Sequence, residues 1–370
     1  MKIKRINQIA MNYRSALSLS LILIPLLLRG QSYSEKRTFQ KAFAVNKETT
    51  LEITNKYGTI HLNTWNKDSV SVTAEIEAFA SSQTKLGKMF EGIDINFSES
   101  DYLIIAQTNF TQSINMLFES FKGMTKKIIP YDSRVQINYF VSLPENITLK
   151  LDNKYGDIYM ENNSSDLSVS LSNGSFKANT LNKVPEMKLT FCDATINRIV
   201  SGTIDASFSE VGITESNNLS ISSISSRFDL KQTGKLHTES RRDKFFIGGL
   251  ASIDGDSYFT DYKIGDLKDD LNLLTKYGSI YIDNIGKSIQ FIILNSGYTD
   301  ISLAFDPLVS YNVDLRHTNT FITTPDKNAQ LEKKVINEDK KEYITFGKVG
   351  KNPGTIKVKI DASRGSIFIK

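Results

Sequence analysis

Asn55-Lys56-Tyr57-Gly58-Thr59-Ile60-His61-Leu62 returns as Asn153-Lys154-Tyr155-Gly156-Asp157-Ile158-Tyr159-Met160, and again as Thr275-Lys276-Tyr277-Gly278-Ser279-Ile280-Tyr281-Ile282. Each copy has a polar lead, a Tyr-Gly bend and a strand with apolar residues at alternate positions. Looser copies surround Gly174 (Ser172-Asn173-Gly174-Ser175-Phe176), Gly297 (Asn295-Ser296-Gly297-Tyr298) and Gly365 (Ser363-Arg364-Gly365-Ser366-Ile367). Versions without the glycine run through 191–196, 226–230 and 316–322.

Gly156 and Gly174 are 18 residues apart, and Gly278 and Gly297 are 19 apart. A period of about twenty, each unit a short strand, a bend and another strand, is the arithmetic of a solenoid. One such rung cannot bury its apolar face alone, whereas stacked rungs share a continuous inner column. Gly58, Gly156, Gly174, Gly278, Gly297 and Gly365 are read as structural turn residues, because glycine permits a left-handed or closely approached backbone at a corner. Asn or Ser ahead of the glycine bonds to local backbone, and Asn153, Asn173 and Asn295 are expected to form side-chain ladders between rungs. The competing reading is a set of ordinary hairpin turns in a β-sandwich. Hairpins need no shared strand phrase after the turn, so the solenoid is preferred.

Residues 1–30 read as a signal peptide. Lys2, Lys4, Arg5 and Arg14 precede an apolar run of 13 residues at 16–28, too short for a membrane-spanning helix of about 20 residues. Cleavage is expected after Gly30 or Ser32, which leaves an exported chain with no stable transmembrane anchor. Residues 1–30 hold 5 of the 45 Lys and Arg and none of the 41 Asp and Glu, so the remainder carries 40 against 41. That near-neutral balance gives no electrostatic case for nucleic acid as a partner.

Residues 33–150 form an irregular β-rich part with a short amphipathic helical insertion expected at 111–127, and residues 151–370 hold the regular repeats with a charged interruption at 327–341. Cys192 is the sole cysteine, and His61, His237 and His317 are far apart in sequence. No disulfide, cofactor or local zinc-ligand pattern follows. Alternation around Cys192 places Leu189, Phe191 and Ile196 inward, which makes the thiol a buried structural one.

Two surfaces carry chemical possibilities. Arg227 and Asp229 share one strand face, Asp254 and Asp256 follow, and carboxylates with cations on adjacent rungs are the groups a calcium-assisted polysaccharide lyase would gather around 227–261. The simpler account is a solvated, charge-mixed face. The other surface is aromatic: Tyr57, Tyr155, Tyr159, Tyr277, Tyr281 and Tyr298 sit near bends, with alternate ones expected inward. If Tyr155 and Tyr277 face outward they form a platform for sugar rings or a partner protein; if inward, they are core. Gly-x-Ser-x-Gly, phosphate-loop, dinucleotide and Cys-x-x-Cys patterns are all missing.

Taken together, the leader, the opening strand near 49–53, the Asn55–Leu62 phrase with Trp65, and the Tyr-Gly-Asp-Ile and Tyr-Gly-Ser-Ile returns resemble the putative adhesin family of bacterial, Bacteroidota-like envelope proteins, once classed as a domain of unknown function. The resemblance spans roughly residues 36–370 and rests on turn phrases. It implies an all-β, right-handed parallel β-solenoid and a non-enzymatic adhesin-like or scaffolding role, with an envelope protein or surface glycan as partner. It carries over no catalytic residue.

Overall fold

In Thr50–Lys56 (β2), Leu51, Ile53 and Asn55 are buried while Thr50, Glu52, Thr54 and Lys56 are not. That alternation is what a pleated strand with one covered face requires. The computed structural model describes residues 33–112, 133–351 and 354–370. Preceding β2 is β1 (Tyr33–Ala44), and β3 (Ile60–Thr64), β4 (Ser69–Ala80), helix α1 (Gln83–Glu91), β5 (Ile93–Glu99), β6 (Leu103–Phe110) and β7 (Ser133–Leu143) follow it. The expected leader lies outside the described residues, and so does nearly all of the 111–127 insertion. The described helix is α1, which sequence reading did not single out.

The chain divides into two compact units. Of the described residues, the smaller comprises 33–37, 76–94, 110–112 and 133–136. Within it, Ser82 caps α1 by accepting the Lys85 N–H at 3.3 Å, and the helix buries Leu86, Met89 and Phe90. Arg37 lies over the Phe90 ring at 4.1 Å.

The larger unit, Thr38–Glu75, Ile95–Asn109 and Ile137–Lys370, is a parallel β-solenoid. β2 lies between β6 and β8 (Thr148–Lys154), and β3 between β7 and β9 (Ile158–Met160), all parallel. β10 (Asn162–Ser172) adds to β8, and β11 (Ser175–Thr190) adds to β9 and β10. β12 (Asp193–Ser207), β13 (Glu210–Ile224), β14 (Arg227–Arg241), β15 (Lys244–Tyr258), β16 (Asp261–Ile285) and β17 (Phe291–Phe305) then stack in chain order.

Chain order fails at the far end. β22 (Lys357–Ile369) pairs with β17 on one edge and with β18 (Tyr311–Thr318) and β19 (Phe321–Thr323) on the other. Beyond β18, β21 (Glu342–Val349) and β20 (Ala329–Asn337) run antiparallel as a hairpin through the charged segment. Lys333 and Lys334 of β20 lie over the rings of Tyr343 and Phe346.

Inside, register aligns like with like. Phe176, Ala194, Val211, Phe228, Phe245 and Tyr262 form one buried column, with Phe228–Phe245 and Phe245–Tyr262 ring centroids 4.6 and 5.0 Å apart. The Tyr262 hydroxyl meets Thr238 at 3.0 Å, and burial pushes its pKa up to about 12. The central rungs repeat at 17 residues, Asp193 to Glu210 to Arg227 to Lys244 to Asp261, shorter than the glycine spacings suggest.

Candidate recognition surface

Each rung turns at one residue in the left-handed region. These residues are Tyr57, Tyr155, Asn173, Phe191, Phe208, Ser225, Arg242, Phe259, Tyr277, Tyr298, Asn319 and Arg364, with φ between 49° and 66°. A left-handed residue interrupts strand alternation and sends its side chain outward. Phe191 is therefore exposed rather than buried, although Leu189 and Ile196 do point inward. None of the six tyrosines near the bends is buried either; Tyr155 is 37% and Tyr277 44% exposed.

For a residue with a Cβ this conformation costs roughly 1–2 kcal/mol. Two contacts offset it. The corner N–H donates to a carbonyl of the adjoining rung, as in Tyr155 to Ser172 (2.9 Å), Phe208 to Ile224 (3.0 Å) and Phe259 to Lys276 (2.8 Å). Corner rings also stack: Tyr57 on Tyr155 at 5.4 Å, Phe191 on Phe208 at 5.0 Å, Phe259 on Tyr277 at 4.9 Å and Tyr277 on Tyr298 at 5.0 Å. Arg364 closes the last stack over Tyr298 at 4.8 Å. Each pair is worth about 0.5–1.5 kcal/mol.

The glycines of the phrase do a different job. Gly58, Gly156, Gly174 and Gly278 follow the left-handed residue and are not themselves left-handed. A Cβ on any of them would come within 2.0 Å of a carbonyl oxygen on the adjoining rung. Gly365 has φ 89°, while Gly297 precedes its corner and has room for a Cβ. Asn55 and Asn153 are buried and donate to backbone instead of to each other, to Ile137 O and Gly58 O at 2.9 Å each. Side-chain amides do ladder elsewhere, from Asn197 to Asn179 to Asn162 at 3.1 and 2.8 Å.

In the 17-residue rungs the glycine position holds Cys192, Ser209, Ser226, Asp243 and Thr260. The N–H of Cys192 donates to Ser209 Oγ, that of Ser209 to Ser226 Oγ, and that of Ser226 to Asp243 Oδ1. Cys192 is buried, which pushes its thiol pKa up. Sequence reading missed the corners at Phe208, Arg242 and Phe259, yet the signal was present. Five phrases, Cys-Asp-Ala-Thr-Ile, Ser-Glu-Val-Gly-Ile, Ser-Arg-Phe-Asp-Leu, Asp-Lys-Phe-Phe-Ile and Tyr262-Lys263-Ile264 preceded by Thr260-Asp261, recur every 17 residues without a glycine after the corner residue to mark them.

A second outward column stacks His61 between Phe140 and Tyr159, each at 5.2 Å. Burial, and then the hydrogen bond to Asp157, raise the Tyr159 pKa.

Arg227 and Asp229 are not gathered with Asp254 around one groove. Arg227 and Asp229 form a two-point ion pair at 2.9 and 3.1 Å, with the guanidinium over Phe246 at 4.0 Å. Asp254 instead holds His237 at 2.6 Å. Asp229 and Asp254 line separate shallow grooves. Ser220 aligns in register with His237 on the rung before it, and the hydrogen bond of His237 goes to Asp254. Among the described residues no three His, Cys, Asp or Glu side chains are grouped as metal ligands.

No protein-family model matches the chain, and no curated relative matches it. Solved structures do align along its length, among them three bacterial proteins. A putative cell adhesion protein from Clostridium sporogenes shares 12% identity over 90% of this chain and 99% of its own, with a TM-score of 0.20. A putative adhesin from Parabacteroides distasonis shares 7% identity over 90% and 97% of the two chains, at TM-score 0.29. One from Bacteroides fragilis shares 10% over 91% and 98%, at 0.24. Values this low transfer neither partner nor activity.

Proposed function

We propose that this protein is an exported, non-enzymatic recognition module of the bacterial cell envelope that binds a linear surface glycan along its aromatic corner. The observation that carries the reading is the Phe259–Tyr277–Tyr298–Arg364 stack, four consecutive rungs with outward side chains held at fixed backbone angles. Exposed aromatic residues aligned in one column, rather than scattered, mark a contact surface. Rings stacked this way present edges and hydroxyls at about 5 Å intervals, which suits an extended polymer better than a single ring. The basic, then apolar, opening of the sequence supports export, and no described helix is long and apolar enough to cross a membrane.

A glycan array probed with the full chain and with Tyr155→Asn and Tyr277→Asn tests this. Asn173 and Asn319 already occupy the same corner position, so both variants should fold. Binding lost in the variants supports the reading. Array binding unchanged in both, or binding only to envelope proteins in a crosslinking experiment, refutes the glycan assignment.

A further inference from the structure

The aromatic corner has a gap. Phe208 stacks on Phe191 on one side, but its next neighbour on the corner is Ser225, followed by Arg242 before the rings resume at Phe259. The second face of Phe208 thus has no ring against it, and Phe208 is 53% exposed. Phe208, Ser225 and Arg242 share a groove of about 350 Å³ with Glu210, Arg227 and Lys244.

Charge gives the groove its sign. Arg227 is already clasped by Asp229. Arg242 and Lys244 are exposed and have no ion-pair or ring partner among the described residues, against the one carboxylate of Glu210. Asp243, between them, is 1% exposed and turned to the interior, where it accepts from Ser223, Ser226, Ser240 and Arg241. The strand therefore spends its carboxylate on the core and leaves two cations outside. A free aromatic face beside unpaired cations suits a ring that is apolar on one face and carries a carboxylate at its rim.

We infer that the notch at Ser225 binds a uronic acid residue of an acidic saccharide, its ring against Phe208 and its carboxylate on Arg242 and Lys244. This rests on the glycan reading above and assigns it a subsite. A peptide carboxylate would satisfy the cations but leave the Phe208 face unused.

Titration calorimetry of the full chain with a short oligogalacturonate, its neutral oligogalactose counterpart and an oligoglutamate peptide tests it. Ser225→Phe continues the ladder with the residue found at 208 and 259, so it fills the notch with a side chain the corner already accepts. Arg242→Gln removes the cation. Each should weaken oligogalacturonate binding by about ten-fold or more, the worth of one charge-assisted hydrogen bond, and the neutral sugar should bind weakly throughout. No binding of oligogalacturonate at millimolar concentration would overturn the inference, as would equal binding of the neutral sugar, tighter binding of oligoglutamate, or affinity unchanged in Ser225→Phe with an unaltered melting temperature. The two readings fail separately. Loss of array binding in Tyr277→Asn with none in Ser225→Phe removes the notch and keeps the corner; the reverse pattern removes the corner and keeps the notch.

Discussion

A Cβ on Gly156 would stand 1.9 Å from the carbonyl oxygen of Gly58 on the adjoining rung. Neither glycine is left-handed, so what makes them necessary is a backbone neighbour, not a backbone angle. Gly156→Ala should cost about 1–3 kcal/mol through forced displacement of one rung against the next. Gly212 is the control, because its nearest neighbour would be Ala194 O at 3.8 Å. Gly212→Ala should be neutral or stabilise by up to about 1 kcal/mol. Urea unfolding midpoints check both, and equal midpoints for the two variants would contradict the account.

Asp243 carries a buried carboxylate with no cation, satisfied by two hydroxyls and two backbone N–H groups. Asp243→Ala strands these donors in the interior and should cost at least about 3 kcal/mol. Asp243→Ser should recover part of that loss, since Ser209 and Ser226 accept the preceding rung's N–H in the same way. A serine variant no better than the alanine one would show that the column does not work as a relay of hydroxyl acceptors.

His317 is 4% exposed, and burial with the nearby Lys333 charge lowers its pKa. It also packs against Tyr343 at 5.4 Å and reaches Thr345 at 3.4 Å. Between its folded and unfolded pKa values the unfolded chain binds the extra proton, so stability falls as pH drops below about 6.5. Replacing His317 by Leu, the residue at the matching corner positions 171 and 189, should flatten this part of the pH–stability curve. An unchanged slope would place the acid sensitivity elsewhere.

Tyr277→Asn removes two ring contacts but places a residue that tolerates the left-handed region. Losses of about 0.5–1.5 kcal/mol per stack are partly offset by relieved backbone strain. A drop of no more than about 2 kcal/mol in thermal unfolding is expected. A larger loss would make the corner rings chiefly structural and would weaken their use as a recognition surface.

The strand character of the chain was legible from alternation alone, as in Leu51, Ile53 and Leu149, Leu151, because a pleat sorts neighbouring residues to opposite faces whatever lies above it. The parallel β-solenoid was legible from the recurring Tyr-Gly phrases. The glycines marked where rungs touch, and the sequence without them kept its 17-residue beat in Cys192, Ser209, Ser226, Asp243 and Thr260, which went unread for want of a shared residue type.

By itself, then, the order of amino acids determined that this protein is built from stacked strands and where most rungs begin, since periodicity is a local property. Only the tertiary structure decided that Tyr155 and Tyr277 face outward, that Asp243 turns in while Arg242 turns out, and that β22 inserts between β17 and β18. Those outcomes depend on one left-handed residue per corner and on which rung lies alongside it. Such an angle is stabilised by hydrogen bonds and ring contacts from neighbouring rungs, 17 or more residues away along most of the stack and 66 for Asp300 and Ser366, so no reading of adjacent residues contains it.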